Sequence, residues 1–442
     1  MLNQPKGVLS LASTEMWERF SFYTIQTLLV LYAAASLTKG GLGWSEKDAL
    51  YITGLYGAAV YATPALGGIL ADRYLGAKKA VAVGGILMCC GHFIMAIQSE
   101  FAFFVALILL CVGCGLLKPC ISSMVGECYE EKDPRRESGF ALFYMAINIG
   151  GFIGSFLAGN ISNTYGYHYA FAMAGFGLIV GLVNFYIVCK KSLSHVGNNY
   201  AKNTIKIKKT VTPLTKLEKR RLLVYMAMCV ANIVWSIVYG LPYGLLTLYA
   251  ENNIDRTIFG FQIPSTWYYG MYGLFIVIFA PILGVFYNFL AKKNINFTLS
   301  NKLAIGYFTV ALGCMALLPT VMKISHDPKA HVASTGLIIF YVIFALSELL
   351  TVPVLLSAAT RLAPQRYVSR MVSFNIVVSW SLGAWISGVV SGWTINIGAT
   401  SMFVTLIISC STFGILHKIF DKKVESLCEE EVVAKKRLLV SV

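Results

Sequence analysis

The chain has 442 residues, 57% of them hydrophobic and only 13% charged, and its mean hydropathy is +0.68. Apolar runs of about 20 residues, the length that crosses a bilayer, recur from end to end and exclude a string of ordinary soluble domains. The net charge of +15 fits either nucleic-acid binding or membrane topology, so the placement of the basic residues decides between them.

Apolar runs between charge and Gly/Pro punctuation predict helices near 15–38, 49–72, 79–99, 101–125, 138–162 and 168–189. A second set follows near 222–250, 264–290, 301–323, 333–360, 370–396 and 398–420. The start MLNQPKGVLS leads into a polar, charged cluster rather than a small-residue cleavage site, so the first helix is expected to remain in the mature protein. Of the 36 Lys and Arg, five (Lys39, Lys47, Arg256, Lys323, Lys329) fall in one set of loops and two (Arg19, Lys118) within helices; the other 29 fall in the opposite loops and the termini. That asymmetry argues against a nucleic-acid partner and predicts a multi-pass protein of the inner (cytoplasmic) membrane with both termini cytoplasmic.

The expected organisation is a six-helix bundle over 1–189, a basic cytoplasmic linker over 190–221, a second six-helix bundle over 222–420 and a solvated tail over 421–442. The linker carries 10 Lys or Arg and is suited to lying on anionic lipid headgroups. The 11 cysteines are scattered through apolar segments and predict neither a disulfide framework nor a metal site; Cys111 and Cys114 have CxxC spacing, but on a glycine-rich membrane helix. Six plus six helices about a long central loop predict an all-α membrane protein with the major facilitator fold, twelve transmembrane helices in two pseudo-symmetric halves. The segment Gly67-Gly68-Ile69-Leu70-Ala71-Asp72-Arg73-Tyr74-Leu75-Gly76-Ala77-Lys78-Lys79 resembles that superfamily's loop signature. Its Asp72 and Arg73 are expected to pair at the cytoplasmic mouth and gate it; a plain Gly-rich helix end beside positive charge is the alternative.

Ionisable residues at membrane depth cost several kcal/mol unless paired or wet. Glu15-Met16-Trp17-Glu18-Arg19-Phe20 puts two carboxylates one turn apart and Arg19 at i+4 from Glu15, so that two acids share one arginine and one can exchange a proton. The alternative is a cluster that merely anchors the helix start at the interface. Lys118, in the run Gly113 to Pro119, is either a snorkelling side chain or one that faces a cavity. Glu348 stands in a stretch from Thr335 to Thr360 with no other charge. It is either a buried structural acid or, with Lys118 across a shared cavity, one pole of a site suited to a zwitterion.

At these residues the chain resembles the proton-dependent oligopeptide transporter family. Glu15-x-x-Glu18-Arg19-Phe20-Ser21-Phe22-Tyr23 is similar to its first-helix motif. Leu116 to Pro119, Phe140 to Gly150 (FALFYMAINIG) and Ser347-Glu348-Leu349-Leu350 with Pro353 match patterns of the fourth, fifth and tenth helices. The resemblance implies proton-driven import of di- and tripeptides, with Glu15, Glu18, Arg19 and Lys118 in proton coupling. It implies a pocket of Tyr23, Gln26, Lys118, Asn148, Trp235, Tyr239, Tyr272, Glu348 and Trp380, no cofactor besides the coupling proton, no enzymatic activity and a monomer. Five positions depart from the family pattern: Phe22 stands where the first of two tyrosines is usual, Gln26 where a second arginine is, Tyr239 where a glutamine is, and Tyr272 and Gly273 where Asn and Pro are. Losing a guanidinium and an amide leaves two point charges and added aromatics. Another small zwitterionic or cationic solute (an amino acid, a polyamine, a drug) on the same fold, or a receptor that binds peptide without moving it, are therefore the alternatives.

Overall fold

The computed structural model describes residues 4–130, 133, 135–193, 196–197, 213–258, 260–293, 297–364 and 366–428. The first half contains α1 (Lys6–Ala34), α2 (Glu46–Leu70), α3 (Ala77–Met95), α4 (Glu100–Glu127), α5 (Arg136–Tyr165) and α6 (Tyr167–Lys191). The second contains α7 (Lys216–Gly240), a short continuation α8 (Leu245–Asn252), α9 (Thr266–Lys292), α10 (Leu299–His326), α11 (Thr335–Leu362), α12 (Val368–Asn375), α13 (Leu382–Ile397) and α14 (Thr400–Ile419). The π turn Ile376–Ser381 joins α12 to α13 in one span. Eleven spans among the described residues are long and apolar enough to cross a membrane. The twelfth is α1, whose 29 residues would reach about 43 Å; its internal Glu15, Glu18, Arg19 and Gln26 dilute its hydropathy.

Local chemistry sets the helix ends. Ser45 caps α2 by accepting from the Asp48 N–H, and Thr215 opens α7 in a reciprocal capping box with Glu218. The turns between α5 and α6 and between α13 and α14 pass through Gly166 (φ 101°) and Gly398 (φ 79°), left-handed positions that favour a residue without Cβ. These two tight turns occupy corresponding places in the two halves. Small residues then let helices touch: a Cβ on Gly67 would lie 2.1 Å from the Gly115 carbonyl oxygen, and one on Gly84 2.5 Å from that of Gly113.

Several expected boundaries shift. Helix α1 starts nine residues before the predicted position, because most of residues 7–14 bury, with Asn184 of α6 donating to the Ser10 carbonyl oxygen at 3.2 Å and Leu9 left exposed. Helices α6 and α7 both extend into the stretch expected as linker, while its residues 194–195 and 198–212 lie outside the described residues. The expected solvated tail begins instead as a packed helix over 421–428. Its Val424, Leu427 and Cys428 fall at i, i+3 and i+4 and bury against Tyr225, Met228 and Leu299, while Asn301 donates to Asp421 at 2.8 Å and Arg361 pairs with Glu425 at 2.9 Å. Residues 429–442 lie outside the described residues.

The halves meet along α2 with α13 and α5 with α9. Residues 70–77, 292–293 and 297–298 lie on the face where α1 begins and α14 ends, here termed the terminal face, and the opposite one is the far face. Toward the far face the contact is tight. A Cβ on Gly54 would lie 2.7 Å from Gly388 Cα, Thr266 donates to the Ser155 carbonyl oxygen at 2.8 Å, and Trp267 stacks on Phe156 at 4.0 Å. Toward the terminal face α9 is bare all round: Gly284, Val285 and Phe286 are consecutive and exposed, and Gly284 meets nothing within 4 Å of an added Cβ. A helix exposed at consecutive positions has lost packing on every side. The halves are thus closed at the far face and splayed at the terminal face.

Candidate functional site

Nine residues, or about 13 Å of helix, separate the start of α1 from Glu15. The same distance separates Lys118 from the end of α4. The two helices run antiparallel, so both side chains reach one level, well inside the bundle. Glu15 and Glu18 are fully buried. The expected sharing of one arginine by two acids is present, Arg19 standing within ion-pair distance of both, and Lys118 joins it as a second cation. Arg19 grips Glu18, donating from Nη2 to Oε1 at 2.5 Å and from Nε to Oε2, while Lys118 takes Glu15 Oε1. Arg19 Nε stays 3.6 Å from Glu15, and its guanidinium lies 4.3 Å from the centre of the Phe22 ring. The Arg19 fork suits a carboxylate bidentately, which favours Glu18, and the second cation needed for Glu15 comes from another helix. Glu15 Oε2 has no partner among the described residues.

Four residues along α1 from Arg19, Tyr23 reaches a cavity between the halves. About 70 Å³ of it is open to the centres of water molecules, room for a few waters. Tyr144 and Asn148 of α5 form one wall, Tyr269 and Tyr272 of α9 another, and Tyr239 and Glu348 the floor from α7 and α11. The Asn148 amide donates back to the Tyr144 carbonyl oxygen at 2.9 Å. The rings brace one another, Tyr269 stacking on Tyr272 at 5.8 Å and Tyr23 tilting onto Tyr269 at 5.8 Å. A hydrogen bond of 3.4 Å from Tyr61 to Tyr239 crosses between the halves. Glu348 is 9% exposed, and its Oε2 has no partner among the described residues.

Of the residues expected at the pocket, Tyr23, Asn148, Tyr239, Tyr272 and Glu348 line this cavity. Trp235 and Trp380 stand behind it. Trp235 stacks on Tyr239 at 5.7 Å and spends its N–H on Ser347 Oγ at 2.9 Å, and Trp380 meets Tyr239 edge-on at 4.7 Å. Gln26 lies one turn beyond Tyr23, 2% exposed, with neither amide atom partnered among the described residues. Lys118 is not on the cavity wall, because Glu15 holds it inside the first half. Asp72 and Arg73 sit exposed on the π turn Ala71–Leu75, and among the described residues no ion pair joins them. Sequence reasoning missed Tyr144 and Tyr61. The first was legible as the i−4 neighbour of Asn148, whereas the second is revealed only by packing against the other half.

Buried charge pairs in one half, a lone acid in the other, a cavity between them and one closed face define a major facilitator transporter, a membrane protein that moves a solute by rocking two halves. The sequence profile of the POT family matches residues 78–204 and 188–406, and the chain belongs to that family. It is 31% identical to the peptide transporter YePEPT of Yersinia enterocolitica, covering 92% of this chain and 91% of that one. It is 30% identical to a di-/tripeptide transporter of Lactococcus lactis subsp. cremoris, over 84% and 86%. A crystal structure of the peptide transporter POT in complex with sulfate superposes with a TM-score of 0.88 at 29% identity, covering 97% of this chain and 96% of that one.

Proposed function

We propose that this protein is a proton-coupled symporter that imports di- and tripeptides across the inner membrane by alternating access. The observation that carries the reading is the Lys118–Glu15 pair beside Arg19–Glu18, one helical turn from an aromatic cavity that ends on an unpaired Glu348. The similarity to di- and tripeptide transporters supports the choice of substrate. In this reading the terminal face is cytoplasmic, residues 190–221 and the tail 421–442 lie on that side, and the protein works as a monomer in contact with lipid.

A proton on Glu15 removes the charge that holds Lys118, and a released lysine can meet a peptide carboxylate. Glu348 faces the peptide amino group from the other half, so a zwitterion bridges the halves and favours their closure. Return of the empty carrier requires the Lys118–Glu15 pair to re-form. Coupling follows from that exclusivity, since proton and substrate stabilise the same state. Asp72 and Arg73, at the splayed face, gate it by engaging partners only when that face closes. The chemistry is binding and release, with no cofactor and no bond made or broken.

Uptake of labelled dialanine into proteoliposomes under an inward proton gradient tests the reading. Accumulation above the equilibrium level supports it. Proton-driven uptake of some other solute with none of dialanine would remove peptide as substrate, and dialanine binding without any uptake would make the protein a receptor.

A further inference from the structure

The charges of the site do not cancel. In the first half two carboxylates, Glu15 and Glu18, face two cations, Lys118 and Arg19, which sums to zero. The cavity wall adds Glu348 and, among the described residues, no Lys, Arg or His. Gln26, on the same stripe of α1 as Arg19 and Tyr23, is buried yet contributes no charge. When Glu348 is ionised the site therefore carries one net negative charge, located on a carboxylate with an unpartnered oxygen and faced by the rings of Tyr23, Tyr144, Tyr239, Tyr269 and Tyr272.

A zwitterion adds no net charge, so its binding leaves the deficit to be filled by a proton. A monocation fills it alone. An ammonium seated against Glu348 would also lie over aromatic faces, which attract cations, and an aromatic tail would stack in the same cavity. We infer that the site also takes organic monoamines lacking a carboxylate, and that such a cation enters in exchange for the proton that otherwise fills the deficit at Glu348. This deepens the symporter reading and rests on it for the proton. The titratable groups facing the exchange are the five tyrosines around Glu348, Tyr61 bonded to Tyr239, Tyr243 against Tyr269, Cys114 beside Arg19 at 3.8 Å, Tyr56 and Cys111 near the cluster, and the four charged residues of the cluster itself.

The linkage has a sign. Ligands that bind with a proton tighten as pH falls; ligands that displace one tighten as pH rises, each by up to about tenfold per pH unit where the site titrates. Calorimetry on the purified full chain, titrated with tyramine and separately with dialanine at pH 6 and pH 8 in buffers of different ionisation enthalpy, reads both affinity and proton exchange. Tyramine stays cationic across that range. Expected are proton release and tighter binding at pH 8 for tyramine, with proton uptake and tighter binding at pH 6 for dialanine. Gln26→Arg, which brings the net charge to zero, should weaken tyramine on the order of tenfold and flatten the pH dependence of dialanine. Failure of tyramine to bind where dialanine binds, or tyramine binding without proton release, overturns the inference and leaves the peptide reading standing. Tyramine binding with proton release and no dialanine binding upholds the inference and removes the peptide.

Discussion

The two halves handle charge inside an apolar bundle in opposite ways. In the first, every buried acid has a cation of its own, brought by adjacent residues of α1 or across from α4. In the second, Glu348 has no ion-pair partner among the described residues and sits among tyrosines. A closed set of pairs is self-sufficient and changes only when a proton breaks it, whereas an unpaired acid at a cavity leaves a demand for a ligand. In the proposed mechanism the first half senses protons and the second holds substrate. The link between them in that mechanism is Lys118, which Glu15 holds in the empty protein and a peptide carboxylate would take in its place.

Substitutions should separate the halves by their stability signatures. The largest effect is expected for Lys118→Ala, which strands the fully buried Glu15: a loss of about 3 kcal/mol, read as a fall in melting temperature, together with loss of gradient-driven uptake. Pairing it with Glu15→Gln should restore stability and leave transport dead. Next, Gly54→Leu pushes a side chain into Gly388 at the closed far face and should cost about 2 kcal/mol. Spin labels at the far-face ends of α2 and α13 should then report a longer distance. Trp267→Leu removes the stack on Phe156 and the hydrogen bond to its carbonyl oxygen, for about 1 kcal/mol and a milder shift of the same distance. The smallest change in stability belongs to Glu348→Gln, which breaks no pair and should leave the melting temperature within about 1 kcal/mol of wild type while abolishing uptake. A melting loss as large as that of Lys118→Ala would mean that Glu348 is paired after all and would erase the contrast.

Much of this was legible in the sequence. Apolar length and lysine placement suffice for the helices, and Glu15, Glu18, Arg19, Lys118 and Glu348 stand out because charge is costly where they lie. Only part of the pairing was legible. Helical spacing gives Arg19 its contact with Glu15 at i+4, but the second cation on Glu15 is a lysine 103 positions away, which no local pattern contains. The early start of α1 and the packed helix over 421–428 were hidden for the same reason, since mixed small and polar residues become helical only when another helix covers them. The π turns at Ala71–Leu75 and Ile376–Ser381 carry no sequence signal that was readable beforehand. Tyr144, Tyr269 and Tyr61 look like packing in sequence, and the two halves turn the first two into cavity wall and the third into a bridge.

The central claim is that proton and peptide move together because Glu15 releases Lys118 while Glu348 holds the other end. A pH-sensitive dye outside proteoliposomes, read as dialanine is added without any imposed gradient, tests it directly. The account predicts external alkalinisation in the wild type and none in Lys118→Ala or Glu348→Gln. Entry of dialanine with no alkalinisation, or unchanged alkalinisation in either variant, would contradict it.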